Sequence, residues 1–251
     1  PDMSPSFVVM APPSSVADKA RNYVRAIRFV TFTLTLTLFF TMASSPGLGS
    51  IFSWHPIFMM LGFVVFMTEG LLAYVISVPE ISRSNARKRH GKFQVIALAC
   101  VFVGYLAVFI FHEESGKSHL GLDDNTSFSR GIHVFLGLSI LILCIIQGVF
   151  GIKKYLRCVL SMFLTHSLTR LLTSPLVIVI FRYTRHQVKI VRWHGTLGRY
   201  IFFAALGNAS IAISFWGSYS SSVKGFLIIL TLGLSLSVIA LLRFYPSKEG
   251  R

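Results

Sequence analysis

Charge is scarce in this 251-residue chain. Asp, Glu, Lys and Arg make up 13% of it, and only nine residues are acidic, against about a quarter charged in an ordinary soluble domain. The apolar residues, 53% of the total, run in long blocks rather than alternating, which argues against a soluble fold and against half-buried strands. Cysteine is nearly absent. Cys100, Cys144 and Cys158 are too few and too scattered for a disulfide framework, and the first two sit inside apolar blocks as small hydrophobes. No C-x-x-C or H-E-x-x-H pattern occurs, so the three or four converging ligands of a zinc site are not indicated. Buried acid is rarer still, since Glu69 is the only carboxylate well inside an apolar block.

What is present is length. A bilayer core of about 30 Å takes about 20 apolar residues per helix, and six blocks meet that requirement: roughly 26–44, 56–78, 92–111, 132–152, 194–216 and 223–243. Helices satisfy their own backbone in lipid, so the expected fold is all-α: a polytopic membrane protein of six transmembrane helices over residues 23–245. The Pro/Ser-rich residues 1–22 are expected to be a disordered cytosolic segment without a cleavable signal peptide, and 246–251 a cytosolic tail. One segment, 156–184, tempts a seventh crossing, but its longest uncharged stretch, Leu171 to Phe181, is short and holds Pro175. It is expected not to span.

The net charge of +15 is topogenic, and no nucleic-acid partner is expected. Twenty of the 24 Lys and Arg fall near the N-terminus, around the second and fourth connections, and at the C-terminal end. The positive-inside rule puts those sides, and both termini, in the cytosol. The connection 112–130 carries four of the nine acids and falls outside.

Four of the eight histidines stand at the start of a span: His55, His90, His133 and His194. By this topology His55 and His133 lie at similar depth near the outer face, and His90 and His194 near the inner one. Two facing imidazoles per side is the arrangement that six-coordinate haem iron needs, although any single histidine at a membrane boundary is as readily a plain interfacial residue. Gly91 and Gly195 follow two of these histidines directly. Gly137 and Gly198, four residues after His133 and His194, share the histidine's helix face, where they would leave room for a flat macrocycle or simply allow close helix packing. Trp54 and Trp193 read as interfacial anchors. Arg199 needs a partner: a haem propionate, Glu69 or a backbone carbonyl.

The set "SWHP", "MTEG", the basic run before "HGK", "KSHL" and "WHGTLG" resembles the cytochrome b561 family over about residues 20–155 and 185–245, with "FSWHPIFMMLGFVVFMTEG" similar to one branch in particular. The resemblance implies six helices around a four-helix haem core (spans 2–5) with two b haems per chain, held by His55 with His133 and by His90 with His194. It implies transmembrane electron transfer from cytosolic ascorbate to monodehydroascorbate or a ferric chelate on the other side. Arg87, Lys88, Arg89 and Arg185 would hold the ascorbate anion, and Lys117 and His119 the outer acceptor. An endomembrane is favoured over the plasma membrane, and lipid and a second copy of the chain are the other partners considered. The 156–184 segment departs from the family, whose corresponding loop is short. Two rival functions are a quinone-linked dihaem anchor subunit and a transporter or scaffold whose histidines are interfacial.

Overall fold

The computed structural model describes residues 14–76, 83–121, 127–168, 188–217 and 219–244. Helix α1 is Ser14–Met42, followed by a π-helical turn Ala43–Gly47; α2, Ile51–Met59, passes through a π-helical stretch Met60–Phe66 into α3, Met67–Ile76. Then come α4 (Arg83–Ser115), α5 (Phe128–Leu168), α6 (Val188–Phe215) and α7 (Ser221–Phe244). Among the described residues, six stretches are long and apolar enough to cross a membrane: Asp18–Gly47, Ile51–Val75, Ser84–Ser115, Phe128–Lys153, Trp193–Phe215 and Ser221–Arg243. These are the six spans expected from the apolar blocks, and the chain is an integral, multi-pass membrane protein.

The surface is inverted relative to a soluble protein. Phe29, Phe32, Phe135, Ile229 and Leu236 point outward and are more than 60% exposed, the side chains a lipid-facing belt requires. Several hydroxyls within the spans fold back onto their own helix: Thr35 donates to the Thr31 carbonyl, Thr231 to Leu227 and Ser237 to Gly233. That local bond lets a polar residue sit in hydrocarbon without an unsatisfied donor.

The helices close into a ring, each span packing on its sequence neighbours, with α1 returning against α7. Two antiparallel pairs dominate: α2–α3 against α4, and α5 against α6. Gly62 lets the first pair come close, since a Cβ there would stand 2.7 Å from Val101 Cγ2 and 2.9 Å from the Ala97 carbonyl. Small residues give this kind of approach in membranes, where hydrophobicity alone does not drive helices together.

Helix ends follow local chemistry. At the end of α4, the Lys117 N–H donates to the His112 carbonyl and the Gly116 N–H to Glu113, with Gly116 at φ +63°. This is a Schellman stop, and it turns Lys117 and His119 back over the end of the helix. Ser220 caps α7, its Oγ accepting from the Val223 N–H at 3.3 Å. Helix α5 does not end with its apolar block. It continues to Leu168, about 60 Å in all at 1.5 Å per residue, so the first part of the 156–184 segment prolongs α5. The remainder of that segment, with Arg185 and His186, lies outside the described residues, as do 1–13 and 245–251.

Candidate functional site

The structure brings the four span-opening histidines together in two pairs, each across the bundle. The His55 and His133 ring centroids are 6.4 Å apart with planes at 81°. His90 and His194 are 6.3 Å apart at 85°. Neither pair lies on the tightly packed partners: His55 on α2 faces α5, and His90 on α4 faces α6.

Each hairpin fixes its histidines by exchange. On the first, His55 donates from Nδ1 to the carbonyl of Gly104 on α4 (2.9 Å), and His90 on α4 donates from Nδ1 to the carbonyl of Gly70 on α3 (2.9 Å). Gly104 makes this possible by close approach, since a Cβ there would stand 3.2 Å from the His55 carbonyl and 3.3 Å from the Met59 nitrogen. On the second, His133 Nδ1 donates to Asn208, between its backbone oxygen (3.2 Å) and its Oδ1 (3.1 Å). Gln147 Nε2 donates to the His194 carbonyl (2.7 Å). An Nδ1–H engaged on oxygen selects the tautomer whose Nε2 carries the lone pair and raises its basicity as a ligand.

These residues fit a haem. Two imidazoles on one iron put their ring centroids about 6.2–6.4 Å apart, twice a metal–nitrogen bond of about 2.0 Å plus twice the ~1.1 Å from nitrogen to ring centre. Both pairs have that spacing. Among the described residues no three His, Cys, Asp or Glu side chains converge as a protein-only metal site would need.

The glycines four residues after His133 and His194 sit at close helix contacts. A Cβ at Gly137 would crowd Asn208 Nδ2 at 3.1 Å, so this glycine makes room for the neighbouring helix's carboxamide, and one at Gly198 would touch Gln147 Nε2 in ordinary contact at 3.4 Å. Gly91 and Gly195 face open space.

At the end of the bundle that holds His90, Glu69 receives two bonds from Arg28 of α1, from Nε at 2.6 Å and Nη2 at 2.7 Å, and a third from Arg89 Nη2 at 3.2 Å. A lone carboxylate inside a span costs about 3 kcal/mol, and a bidentate arginine is the strongest available compensation. The Glu69–Arg199 pairing considered from sequence is therefore not formed. Arg199 points outward on α6, and Arg28, which composition marks only as topogenic charge, takes its place. Arg89 also lies over the Phe93 ring at 5.6 Å, while Arg87 and Lys88 stand exposed on the first turns of α4.

At the opposite end His119 stacks on Phe109 (centroids 4.3 Å, 16°) and donates from Nε2 to Glu113 (2.7 Å). His112 lies 5.6 Å from it. Lys117 Nζ is held over the Phe111 ring at 5.1 Å, and Phe111 packs on Phe52, which neighbours His55. Thus Lys117 and His119 share one end of the bundle with the His55–His133 pair. Arg130, over the Phe215 ring that abuts His133, is a charged group at this end that its loop position did not single out.

Residues 54–174 match the family model of eukaryotic cytochrome b561. The match takes in His55, His90 and His133, runs into the 156–184 segment, and stops before His194. The chain is 35% identical over 115 residues to transmembrane reductase CYB561D2 of Bos taurus (42% of this chain, 51% of that one). It is 30% identical over 105 residues to a probable ascorbate-specific transmembrane electron transporter 2 of Oryza sativa subsp. japonica (42% and 40%). It is 29% identical over 111 residues to the lysosomal membrane ascorbate-dependent ferrireductase CYB561A3 of Mus musculus (44% and 42%). The matched stretches span about half the length of these relatives or less. That match takes in a little under half of the chain, and laid over the six apolar helices it makes the chain similar to the cytochrome b561 family, a haem-binding family, and to its CYB561D2 branch.

Proposed function

We propose that this protein is a transmembrane oxidoreductase that carries electrons from ascorbate on the cytosolic side to an acceptor on the other. His90 and His194 would hold the inner b haem, and His55 and His133 the outer one. The observation that carries this reading is the pair of cross-bundle histidine couples, both at the spacing two imidazoles take on one iron. Bound haem iron supplies one-electron redox chemistry that no side chain here offers; the residues described below orient, charge and shield it.

Gly70, Gly104 and Asn208 fix three imidazoles by their Nδ1 atoms. Arg87 and Lys88, exposed beside His90, with Arg185 from beyond the described residues, supply the positive field that an ascorbate anion requires at a water-facing edge. Arg89 contributes less directly, because its guanidinium is turned onto Glu69 and the Phe93 ring. On the outer side Lys117 and His119 are the acceptor-facing groups. Both monodehydroascorbate and a ferric chelate suit a cation beside an imidazole, and the ferrireductase name of one relative favours the chelate. The same relative's lysosomal name fits an endomembrane location. Both termini are cytosolic by the distribution of Lys and Arg, and the 156–184 segment adds no crossing, which keeps His194 on the side of His90.

The test is the haem-to-polypeptide ratio of detergent-purified protein, with its spectrum before and after ascorbate. Two b haems per chain, largely reduced by ascorbate alone, are expected. One haem would place the fault at His194, and haem reduced only by a partner protein would favour a quinone-linked anchor subunit. Folded, haem-supplied protein without haem overturns the reading.

A further inference from the structure

We infer that Asn208 is a positioning residue for the outer histidine and Gln147 its counterpart for the inner one, a role that rests on the haem reading above. The sequence repeats a spacing: His133, Gly137, Gln147 on α5, and His194, Gly198, Asn208 on α6. In both cases the glycine follows the histidine by four residues and the carboxamide follows by fourteen. Fourteen residues advance a helix by about 21 Å and return to within about 40° of the same face. The two helices run antiparallel, so each one's carboxamide arrives at the other's histidine. Gly137 gives Asn208 a tight seat, with a Cβ there 3.1 Å from Nδ2, while at Gly198 a Cβ would only touch Gln147 Nε2 in ordinary contact at 3.4 Å. Asn208 and Gln147 are both buried, and neither is spent on capping its own helix.

The two carboxamides differ in what they do. Asn208 Oδ1 accepts from the imidazole itself, which moves the ring toward imidazolate and strengthens His133 as a ligand to ferric iron. Gln147 donates to the main-chain oxygen of His194 and leaves its ring chemistry alone, so it sets only the register of α6 against α5. On the first hairpin no carboxamide bonds the histidines; main-chain oxygens of Gly70 on α3 and Gly104 on α4 stand directly against His90 and His55.

The experiment is potentiometric titration of the two haems in full-length, detergent-purified protein carrying Asn208→Leu, Gly137→Ala or Gln147→Leu. Asn208→Leu keeps the main-chain acceptor at 3.2 Å, so haem stays bound. It is expected to raise the outer reduction equilibrium roughly tenfold, 59 mV for one electron, with the inner one unmoved. Gly137→Ala displaces the carboxamide by a few tenths of an ångström without altering Asn208 or His133, and shifts the same haem in the same direction by less; it carries the test if the leucine variant does not accumulate. Gln147→Leu leaves the outer potential in place. If neither potential moves in a protein with two haems, or both move together, the positioning role is overturned while the haem reading stands. A wild-type protein without haem overturns both.

Discussion

The glycines of the first hairpin allow a sharp comparison, because Gly70 and Gly104 play the same part in different surroundings. Each presents its carbonyl to a histidine of the facing helix. A methyl group added at Gly104 meets the His55 carbonyl oxygen at 3.2 Å, Phe58 Cβ at 3.2 Å and the Met59 nitrogen at 3.3 Å. Two of these are main chain and one is a Cβ, so no rotamer change relieves them and the helices must separate by a few tenths of an ångström. Overpacking of that kind costs about 1–3 kcal/mol. It also lengthens the Nδ1 bond of His55, where lost support of a ligand histidine is typically worth 10–100-fold in metal affinity. A methyl group at Gly70 meets Gln94 Nε2 at 2.6 Å, a closer contact but with the far end of a flexible side chain, which can swing away. Both substitutions gain about 1 kcal/mol of helix propensity. Gly70→Ala is therefore expected to be neutral or slightly stabilising with both haems retained. Gly104→Ala is expected to be destabilised by up to about 2 kcal/mol net and to lose outer haem in preference to inner. Thermal unfolding in detergent and haem-to-polypeptide ratios of the two variants, side by side, decide it. If Gly70→Ala proves the more damaging, the reasoning from backbone against side-chain neighbours is wrong.

Glu69→Gln should cost about 1–2 kcal/mol, less than a fully buried pair because Arg28 is 43% exposed; a double-mutant cycle with Arg28→Met should return most of that as coupling, and a cycle that is purely additive refutes the contact. Arg87→Ala with Lys88→Ala should raise the ascorbate concentration for half-maximal haem reduction and flatten its dependence on salt, measured by stopped-flow absorbance, while leaving outer-side reoxidation unchanged. Lys117→Ala should do the converse, weakening acceptor-dependent reoxidation alone. Burial pushes the Tyr219 phenol above its ordinary value, so the folded state favours the neutral form. Its contribution to stability is present below the ordinary tyrosine range and is lost as pH rises through the raised value. Alkaline ultraviolet titration should lose a late-titrating component in Tyr219→Phe; an unchanged late component would contradict the burial.

Much of this architecture is written locally. Each span is a run of apolar residues long enough to cross lipid, and hydrocarbon leaves such a run no alternative to helix, so six crossings follow from one-dimensional pattern. Alternating crossings then sort four span-opening histidines by side, and His55 with His133 and His90 with His194 emerge as pairs before any coordinate is seen. The partners of those histidines were not legible. Gly70 and Gly104 act through main-chain oxygens, which every residue possesses, and what distinguishes them is how near another helix comes. At Gly137 and Gly198 the sequence left room for a cofactor and close helix packing as alternatives, because it shows the missing side chain and not the neighbour beside it. Arg28 read as topogenic charge, since its carboxylate lies 41 residues away on another span. Pattern along the chain determined which residues cross the membrane and which stand at its two faces. Tertiary structure alone decided which atoms support each imidazole, because hydrogen bonds across a bundle depend on the depth and rotation of two helices at once.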